Sequence, residues 1–556
     1  MKRTLCWTND TKSDYCLWKV IECDRTSGRV IKLSFGSSFS YTRRILRHVD
    51  LSNNNKFPSW LLENNTKLEA LLLQNNSFTS LQLPQSDHNL LYLDVSVNGF
   101  DQLFPQNIGF HGKLPRSFLK GCDSLIVLKL SHKKLSGEVF PEASNFFSIL
   151  ELSMDNNLFT GKIGRGLQSL RSLIMLDISN NNLSGVIPSW FDQLQDLHSL
   201  QISNNLLEGE VPISLFNMSS LQLLALSANS LSGDLPQAIS GYGALKVLLL
   251  RDNNLSGVIP DTLLGKNIIV LDLRNNRLSG NIPEFINTQY IRILLLRGNN
   301  LTGSIPRRLC AVRSIHLLDL ANNKLYGSIP SCLRNASLDG FAIDYELSTQ
   351  TKIEFATKHR YDAYRGGNLK LLFGLDLSKN ELSGEIPIEF GDLRKLHALN
   401  LSHNNLSGVI PESFSGLKNV ESLDLSFNRL QGQIPPQLTE LSNLEVFNVS
   451  YNNFSGVIPQ GKQFNSFDMR SYIGNPLLCG QPTDIRCIGN TFQEADYGVE
   501  AVENTIDMVS FYWSFVAAYI TILLGLLASL SFDSPWSRVW FYIVDAFVHK
   551  VRKLLW

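Results

Sequence analysis

Hydrophobic and polar positions in this chain recur with a period near 24 residues. In Leu173-Ile-Met-Leu176-Asp-Ile178-Ser-Asn-Asn181-Asn-Leu183-Ser-Gly185-Val-Ile187-Pro188, apolar residues alternate, an asparagine follows, and a Leu-x-Gly-x-Ile-Pro phrase closes the unit. The asparagine returns at Asn205, Asn229, Asn253, Asn276, Asn299 and Asn323, and resumes at Asn380, Asn404, Asn428 and Asn452. Alternation predicts a short strand with one face inward, Leu200 and Ile202 pointing in, Gln201 and Ser203 pointing out. The amide of Asn205 has the donors and acceptor to bond backbone groups of neighbouring turns, which the bend would otherwise leave unpaired. The glycine permits a tight bend and the proline favours extended backbone on the outer wall. One unit cannot bury its apolar side alone, so the turns must stack. Some sixteen strands about 4.8 Å apart give an arc of about 75 Å.

The motif L-x-x-L-x-L-x-x-N-x-L at this period is the leucine-rich repeat, and a solenoid offers a surface for binding rather than a pocket. Upstream the pattern loosens. Asn54, Asn76 and Asn98 recur, Lys133 takes the next asparagine slot, and the Asn98-to-Lys133 gap suits neither one turn nor two. A shortened or spliced repeat is expected over Phe104 to Pro115. Between Pro330 and Leu372 the repeat stops, and a polar, charged and aromatic insert takes its place.

The chain has 556 residues, 44% of them hydrophobic, and its 50 basic residues balance 50 acidic ones, which argues for an ordered protein and against a nucleic-acid partner. Eight cysteines read as local staples: Cys16 with Cys23 around Trp18, Cys310 with Cys332 one repeat apart, and Cys479 with Cys487 at the end of the array. Cys6 and Cys122 stay unassigned. No C-x-x-C occurs, and disulfides imply an oxidising compartment. Glycosylation sequons fall at Asn9, Asn64, Asn75, Asn182, Asn217, Asn254, Asn300, Asn335, Asn405, Asn448 and Asn453. The repeat's own Asn-Leu-Ser and Asn-Leu-Thr phrases generate part of that set; Asn64, Asn217 and Asn335 lie outside them.

Met508 to Phe532 contains no charged side chain before Asp533 and is long enough to span a bilayer. Acidic residues precede it, and Arg538, Lys550, Arg552 and Lys553 follow, so the repeats are expected outside the cell. Ala517, Thr521, Gly525 and Ser529 form a stripe of small residues that would let a second helix approach closely, although small residues also occur in such spans by chance. The first ten residues carry no apolar signal region, so a truncated N-terminus is expected.

The cap phrase Ser13-Asp14-Tyr15-Cys16-Leu-Trp18-Lys-Val20-Ile-Glu-Cys23, the Leu-x-Gly-x-Ile-Pro repeats and the closing Gly474-Asn475-Pro476-Leu-Leu-Cys479-Gly480 together resemble plant leucine-rich-repeat receptor-like proteins, the kinase-less cell-surface class. Tyr15 departs from that pattern, standing where the family usually has a first cysteine. The expected fold is an α/β-type repeat solenoid, a leucine-rich-repeat superhelix with plant-type repeats plus one transmembrane helix. The expected parts are a partial Cys/Trp cap (1–28), a first repeat block (29–330), an island insertion (331–371) and a second repeat block (372–459). A C-terminal Cys cap (460–490), an acidic juxtamembrane segment (491–507), the transmembrane helix (508–532) and a short cytoplasmic tail (533–556) follow. The resemblance implies a single-pass plasma-membrane receptor subunit for an extracellular peptide, protein or glycan. It implies an adaptor receptor-like kinase paired through the membrane helix, a co-receptor kinase ectodomain on the final repeats, and immune defence as the usual output.

Two candidate ligand sites follow. In the family such an island takes part in ligand recognition, which makes Lys358, Arg360, Tyr361, Tyr364 and Arg365 candidates; a passive spacer is the alternative. Independently, Arg251, Arg274 and Arg297 take the same outward slot on successive strands, where most other repeats place serine. Cations about 5 Å apart repel unless something negative lies beside them, so an acidic or carboxylate-bearing ligand is one reading and solvated arginine, partly neutralised by Asp252 and Asp272, the other. Leu249 and Leu295, also outward, add apolar patches. No catalytic grouping, metal-ligand motif or cofactor motif is visible. A non-signalling binder or inhibitor of wall enzymes, and a truncated, non-functional receptor relative, remain the competing functions.

Overall fold

The computed structural model describes most of residues 124–487, with 336–351 the longest break, and shorter pieces at 21–23, 30–33, 48–50, 68–75 and 90–96. The calls on Asn9, Asn64, Cys16 and the apolar run 508–532 with Ala517, Thr521, Gly525 and Ser529 lie outside the described residues. Among the described residues no helix is long and apolar enough to cross a membrane.

The alternating segments form one parallel sheet of 16 strands, from His48–Asp50 to Val446–Asn448. Register is uniform: Leu176, Leu200 and Leu224 are partners across three consecutive strands, each fully buried. Stacked leucines from every turn make one continuous core, as a solenoid requires. The strand Val30–Leu33 pairs instead with Ile21–Cys23, antiparallel, ahead of that sheet. Strand Tyr92–Asp94 is bonded directly to Val127–Lys129. These two strands are neighbours in the sheet although Asn98 and Lys133 fall between and beyond them at an irregular spacing; the expectation for Phe104 to Pro115 lies outside the described residues.

The ladder asparagines hold the bend. Asn205 Nδ2 donates to the carbonyls of Ile178, Ile202 and Ser203 at 3.1, 3.1 and 3.3 Å, and its Oδ1 accepts the Leu183 amide at 3.0 Å. The same pattern runs from Asn157 to Asn475. Asn475 was legible only as part of the closing cap phrase, yet it is a rung of the ladder. The residue before each ladder asparagine sits at positive φ, for example Asn204 at 55° and Asn322 at 53°. That conformation carries the chain out of the strand, and asparagine tolerates it better than most residues.

The outer half differs from the α/β expectation. Its helices are mostly five-residue 3-10 turns such as Ser189–Gln193 and Ile388–Asp392. A 24-residue unit leaves too little chain for a longer α-helix after two strands. The second strand is the Leu-x-Gly phrase itself, which forms lateral parallel ladders, with Gly185 at φ 79° against Lys162 of the previous turn. At the C-terminal end, Phe447, Phe464, Phe467 and Tyr472 close the core with ring centroids 4.9 to 6.0 Å apart. Cys479 is bonded to Cys487 just beyond them, and Cys310 to Cys332 on adjacent outer turns.

Asn205→Asp should be as damaging as Asn205→Ala. The carboxylate keeps the acceptor for Leu183 but faces three carbonyl oxygens it can no longer donate to. Leaving such buried groups unpaired costs about 1–3 kcal/mol each before relaxation. Urea unfolding should show a loss of at least about 2 kcal/mol for both variants; equal stability of Asn205→Asp and wild type would remove the ladder from its structural role.

Candidate ligand-binding face and island

The inner sheet is polar at its flanks and apolar in the middle. Asp177 and Gln201 occupy the outward row on early strands, and Asn400 and Asp424 on late ones. Between them Leu223, Val247, Leu249, Val270, Ile293, Leu295 and Leu317 face away from the leucine core, yet all are buried. The island covers them. Its hairpin, Ile353–Thr357 with Arg360–Tyr364, and the short helix Gly366–Leu371 lay Ile353, Phe355, Leu369 and Leu372 on this stripe as a second core. Burying four such side chains is worth roughly 6–12 kcal/mol before the cost of ordering the segment. The interruption starts after the 3-10 helix Ser331–Asn335, which still belongs to the outer wall.

One glycine makes the seat. The column Val247, Val270, Ile293, Leu317 continues as Gly374 and then Ala398. A Cβ on Gly374 would lie 2.2 Å from the Phe355 ring, so the ring fills the space that a side chain would take.

Two of the three arginines in the series are already engaged within the chain. Arg251 Nη1 lies 2.6 Å from Glu354 Oε2. Arg274 is buried, holds Asp272 with two bonds of 2.8 and 2.6 Å, and donates to the Glu354 carbonyl at 2.6 Å. Arg297, half-buried, acts electrostatically on Asp319 and Asp376. An acidic ligand spanning all three would meet the island's own carboxylate and carbonyl already on Arg251 and Arg274, with Leu249 and Leu295 buried beside them. The Arg251 bond holds the Glu354 carboxyl down at about 2, against the opposing effect of its burial, with Lys352 assisting. Burial first, and Asp376 on the next strand second, push Asp319 up to about 8.

The island candidates separate. Lys358, at the hairpin turn, bridges Glu421 at 2.8 Å and Glu445 at 2.9 Å, tying the island to the second repeat block. Tyr364 packs against the second core, with its hydroxyl 3.0 Å from that of Thr357. Tyr361 is opposite Ala356 in the hairpin. Arg360 is exposed beside Asp362 at 2.8 Å. Arg365 is exposed, and its charge bears on Asp177, whose carboxyl is pushed up to about 6, by burial first and then by Asp155. Arg360, Arg365 and the exposed Leu371 thus edge the island toward solvent.

Two further surfaces frame this face. Asn182, Asn254, Asn300, Asn405 and Asn453 each begin a lateral strand with the side chain exposed, so those sequons share one flank. Asn75 and Asn217 are also exposed, Asn448 is half-buried on the last inner strand, and Asn335 ends a 3-10 helix. On the final repeats the left-handed slot holds rings. His403 stacks on Phe427 at 4.2 Å and Phe427 on Tyr451 at 4.3 Å, with Phe427 41% and Tyr451 47% exposed. Bulky residues at φ 52° and 53° are strained, and such strain collects at functional positions. Sequence reasoning passed over this stack because the slot varies from repeat to repeat, asparagine in many and Ala228, Asp252 or Lys379 in others; its signal was three ring-bearing residues 24 apart.

Fold and face define a leucine-rich-repeat protein with a roofed inner surface. Descriptions of the leucine-rich repeat match residues 171–231 and 394–454, and again 244–265, 267–288, 314–336 and 372–393. Receptor-like protein 13 of Arabidopsis thaliana is 62% identical over 93% of this chain and 55% of its own length. Receptor-like protein 15 of the same plant is 59% identical over 93% of this chain and 63% of its own length. The chain belongs to the plant leucine-rich-repeat receptor-like proteins, and spans little more than half the length of these relatives. Among solved structures, PEPR1–AtPEP1 superposes with a TM-score of 0.61 at 29% identity, covering 77% of this chain and 53% of that one. The plant peptide hormone receptor RGFR1 in complex with RGF2 gives 0.61 at 30% identity, covering 78% and 67%.

Gly374→Val should unseat the hairpin while leaving the repeats folded. Limited proteolysis should cut within residues 352–365 of the variant at least about tenfold faster than in wild type, with repeat fragments still protected. Unchanged cleavage would mean that Phe355 does not anchor the island.

Proposed function

We propose that this chain is the ligand-sensing part of a cell-surface receptor that has no catalytic activity of its own and signals through partner receptor kinases in plant defence. The observation that carries this is the island, packed over the middle of the inner sheet, with the charged edge Arg360–Arg365 presented beside open polar strands. The relatives are receptor-like proteins, PEPR1 was solved with AtPEP1 and the peptide hormone receptor RGFR1 with RGF2, which supports an extracellular peptide or protein ligand. In this reading the ligand contacts the island edge and the strands around Asp177. The exposed stack of His403, Phe427 and Tyr451 receives a co-receptor kinase ectodomain. Residues 508–532 cross the plasma membrane once and pair with an adaptor kinase along Ala517, Thr521, Gly525 and Ser529. Bringing the kinases together raises their effective concentration.

The double variant Phe427→Asn, Tyr451→Asn separates this surface from folding. Asparagine relieves the left-handed strain of about 1–3 kcal/mol per residue and forfeits stacking of about 0.5–1.5 kcal/mol per pair, so stability should be unchanged or slightly higher. Co-purification of full-length chain with receptor kinases from plant membranes should fall at least about tenfold. Kinase recovery equal to wild type removes the stack from the interface; loss of kinases only with Gly525→Leu would leave the membrane helix as the sole contact.

A further inference from the structure

We propose that the island is seated through a proton taken up by the buried pair Asp319 and Asp376, so that it closes onto the inner sheet in acidic surroundings and loosens as the pH rises. The seating is a property of the chain alone and stands apart from the receptor reading.

Asp319 and Asp376 are register partners on neighbouring parallel strands, Leu317–Asp319 and Gly374–Asp376. Their side chains leave the same face of the sheet about 4.8 Å apart. Asp177 and Asp424 stand in the same row and keep partial contact with water; Asp319 and Asp376, within the stretch the island covers, are 0% and 2% exposed. Asp376 Oδ1 accepts the Ser378 amide at 3.0 Å and its hydroxyl at 2.7 Å. Asp319 Oδ1 accepts the Ala321 amide at 3.2 Å, while its Oδ2, among the described residues, has no hydrogen-bond partner. A bare, fully buried carboxylate oxygen is far more costly as an anion than as a neutral carboxyl.

The surrounding charges do not satisfy it. Arg274 is committed to Asp272 and to the Glu354 carbonyl. Arg297, following the strand Ile293–Leu295, serves both Asp319 and Asp376 from one side, and Asp424 adds negative charge from the other. Above the sheet, Glu354 is engaged by Arg251 and Lys352, and the hydroxyls of Thr357 and Tyr364 meet each other. Two cations, Arg274 and Arg297, thus act on three buried carboxylates, Asp272, Asp319 and Asp376, which leaves one negative charge in excess, and a proton removes it.

The sign follows from which state holds the proton more tightly. With the island seated, burial and Asp376 raise the Asp319 carboxyl; with it lifted, water returns the group to the ordinary range. Seating is therefore fully favoured below that ordinary range, near 4, and loses this contribution as pH climbs toward about 8. Glu354 works in the opposite window, since its lowered carboxyl supports seating above its ordinary value and loses that support as pH falls toward about 2. A single linked proton changes the unseated population by up to about tenfold per pH unit.

Hydrogen exchange on the full chain between pH 5 and 8, corrected for the intrinsic pH dependence of exchange, reads this directly in residues 353–364. Protection in the hairpin should fall at least about tenfold across that range in wild type, and should stay nearly level in Asp319→Asn, while amides of the inner sheet around Leu200 remain protected in both. Gly374→Val gives the value for an unseated island at every pH. Should Asp319→Asn disturb the repeats themselves, Asp376→Asn provides the second variant: it removes the second cause of the raised Asp319 carboxyl and leaves burial in place, so its slope should be shallower than that of wild type. Hairpin protection independent of pH in wild type, or an unchanged slope in the neutral variants, overturns the proposal.

Discussion

Each turn of this solenoid leaves the inner sheet through a left-handed residue, and the backbone groups opened by that bend are closed by one amide side chain. The constraint is strict because the groups are buried and water cannot reach them. An asparagine meets it with one acceptor and two donors, spread over its own turn and the one before. Asn380 shows how much this permits. It bonds Leu325 and Leu320 across the whole island, 55 and 60 residues away in sequence, with the distances found elsewhere in the ladder. Because the ladder closes over the insertion, strand Gly374–Asp376 follows Leu317–Asp319 as if nothing lay between them. The two repeat blocks are one sheet, and the island is free to do something other than hold them together.

What it does is set by the middle of that sheet. Outward valines, isoleucines and leucines from Leu223 to Leu317 would form an apolar patch too large to leave in water. The island satisfies them and in doing so uses up the arginines beside them. Hydrophobic burial supplies most of the attachment, since half-exposed ion pairs such as Arg251–Glu354 are worth only about 1 kcal/mol or less. The ionic contacts orient the hairpin: Glu354 on Arg251, and Lys358 at the far turn between Glu421 and Glu445. Of the arginine row, Arg251 and Arg274 are thus taken up by the island's own groups, while Arg360 and Arg365 stay exposed at its edge.

Period, strand placement and core were legible because they are local and repeated. Leu200 and Ile202 point inward for the same reason as every other pair in their columns. The interruption was legible as a break in that pattern. Its docking was not, since Arg251 and Glu354 lie 103 residues apart and no periodicity links them. The arginine series looked available because a register argument sees neighbours along the sheet and not a roof above it. Gly374 carried a faint signal, a glycine where a β-branched or leucine residue belongs, but its meaning depends on Phe355. The lateral ladders were missed because Asn-Leu-Ser-Gly reads as a turn by composition; only stacking in register makes it a strand. Asn475 stayed hidden inside a cap phrase for a similar reason, its rung being defined by Phe454 and Val449 on the turn before.

The left-handed slot shows how this architecture separates stability from recognition. It holds Asn180, Ala228, Asp252, Lys379, His403, Phe427 and Tyr451 at nearly the same φ, between 52° and 57°. The conformation goes with the ladder asparagine next in the chain, so the side chain in the slot can vary, bonding across turns where it is polar, as Asn204 does to Asn180 and Asn275 to Asp252. It projects at one edge of the sheet, in register with its neighbours above and below. Rings placed there stack because the strand spacing brings them within reach, and they remain exposed because the slot lies outside the roofed region. Where the inner face is closed by the chain's own island, this edge is the part of the repeat array that can vary in chemistry without disturbing either core.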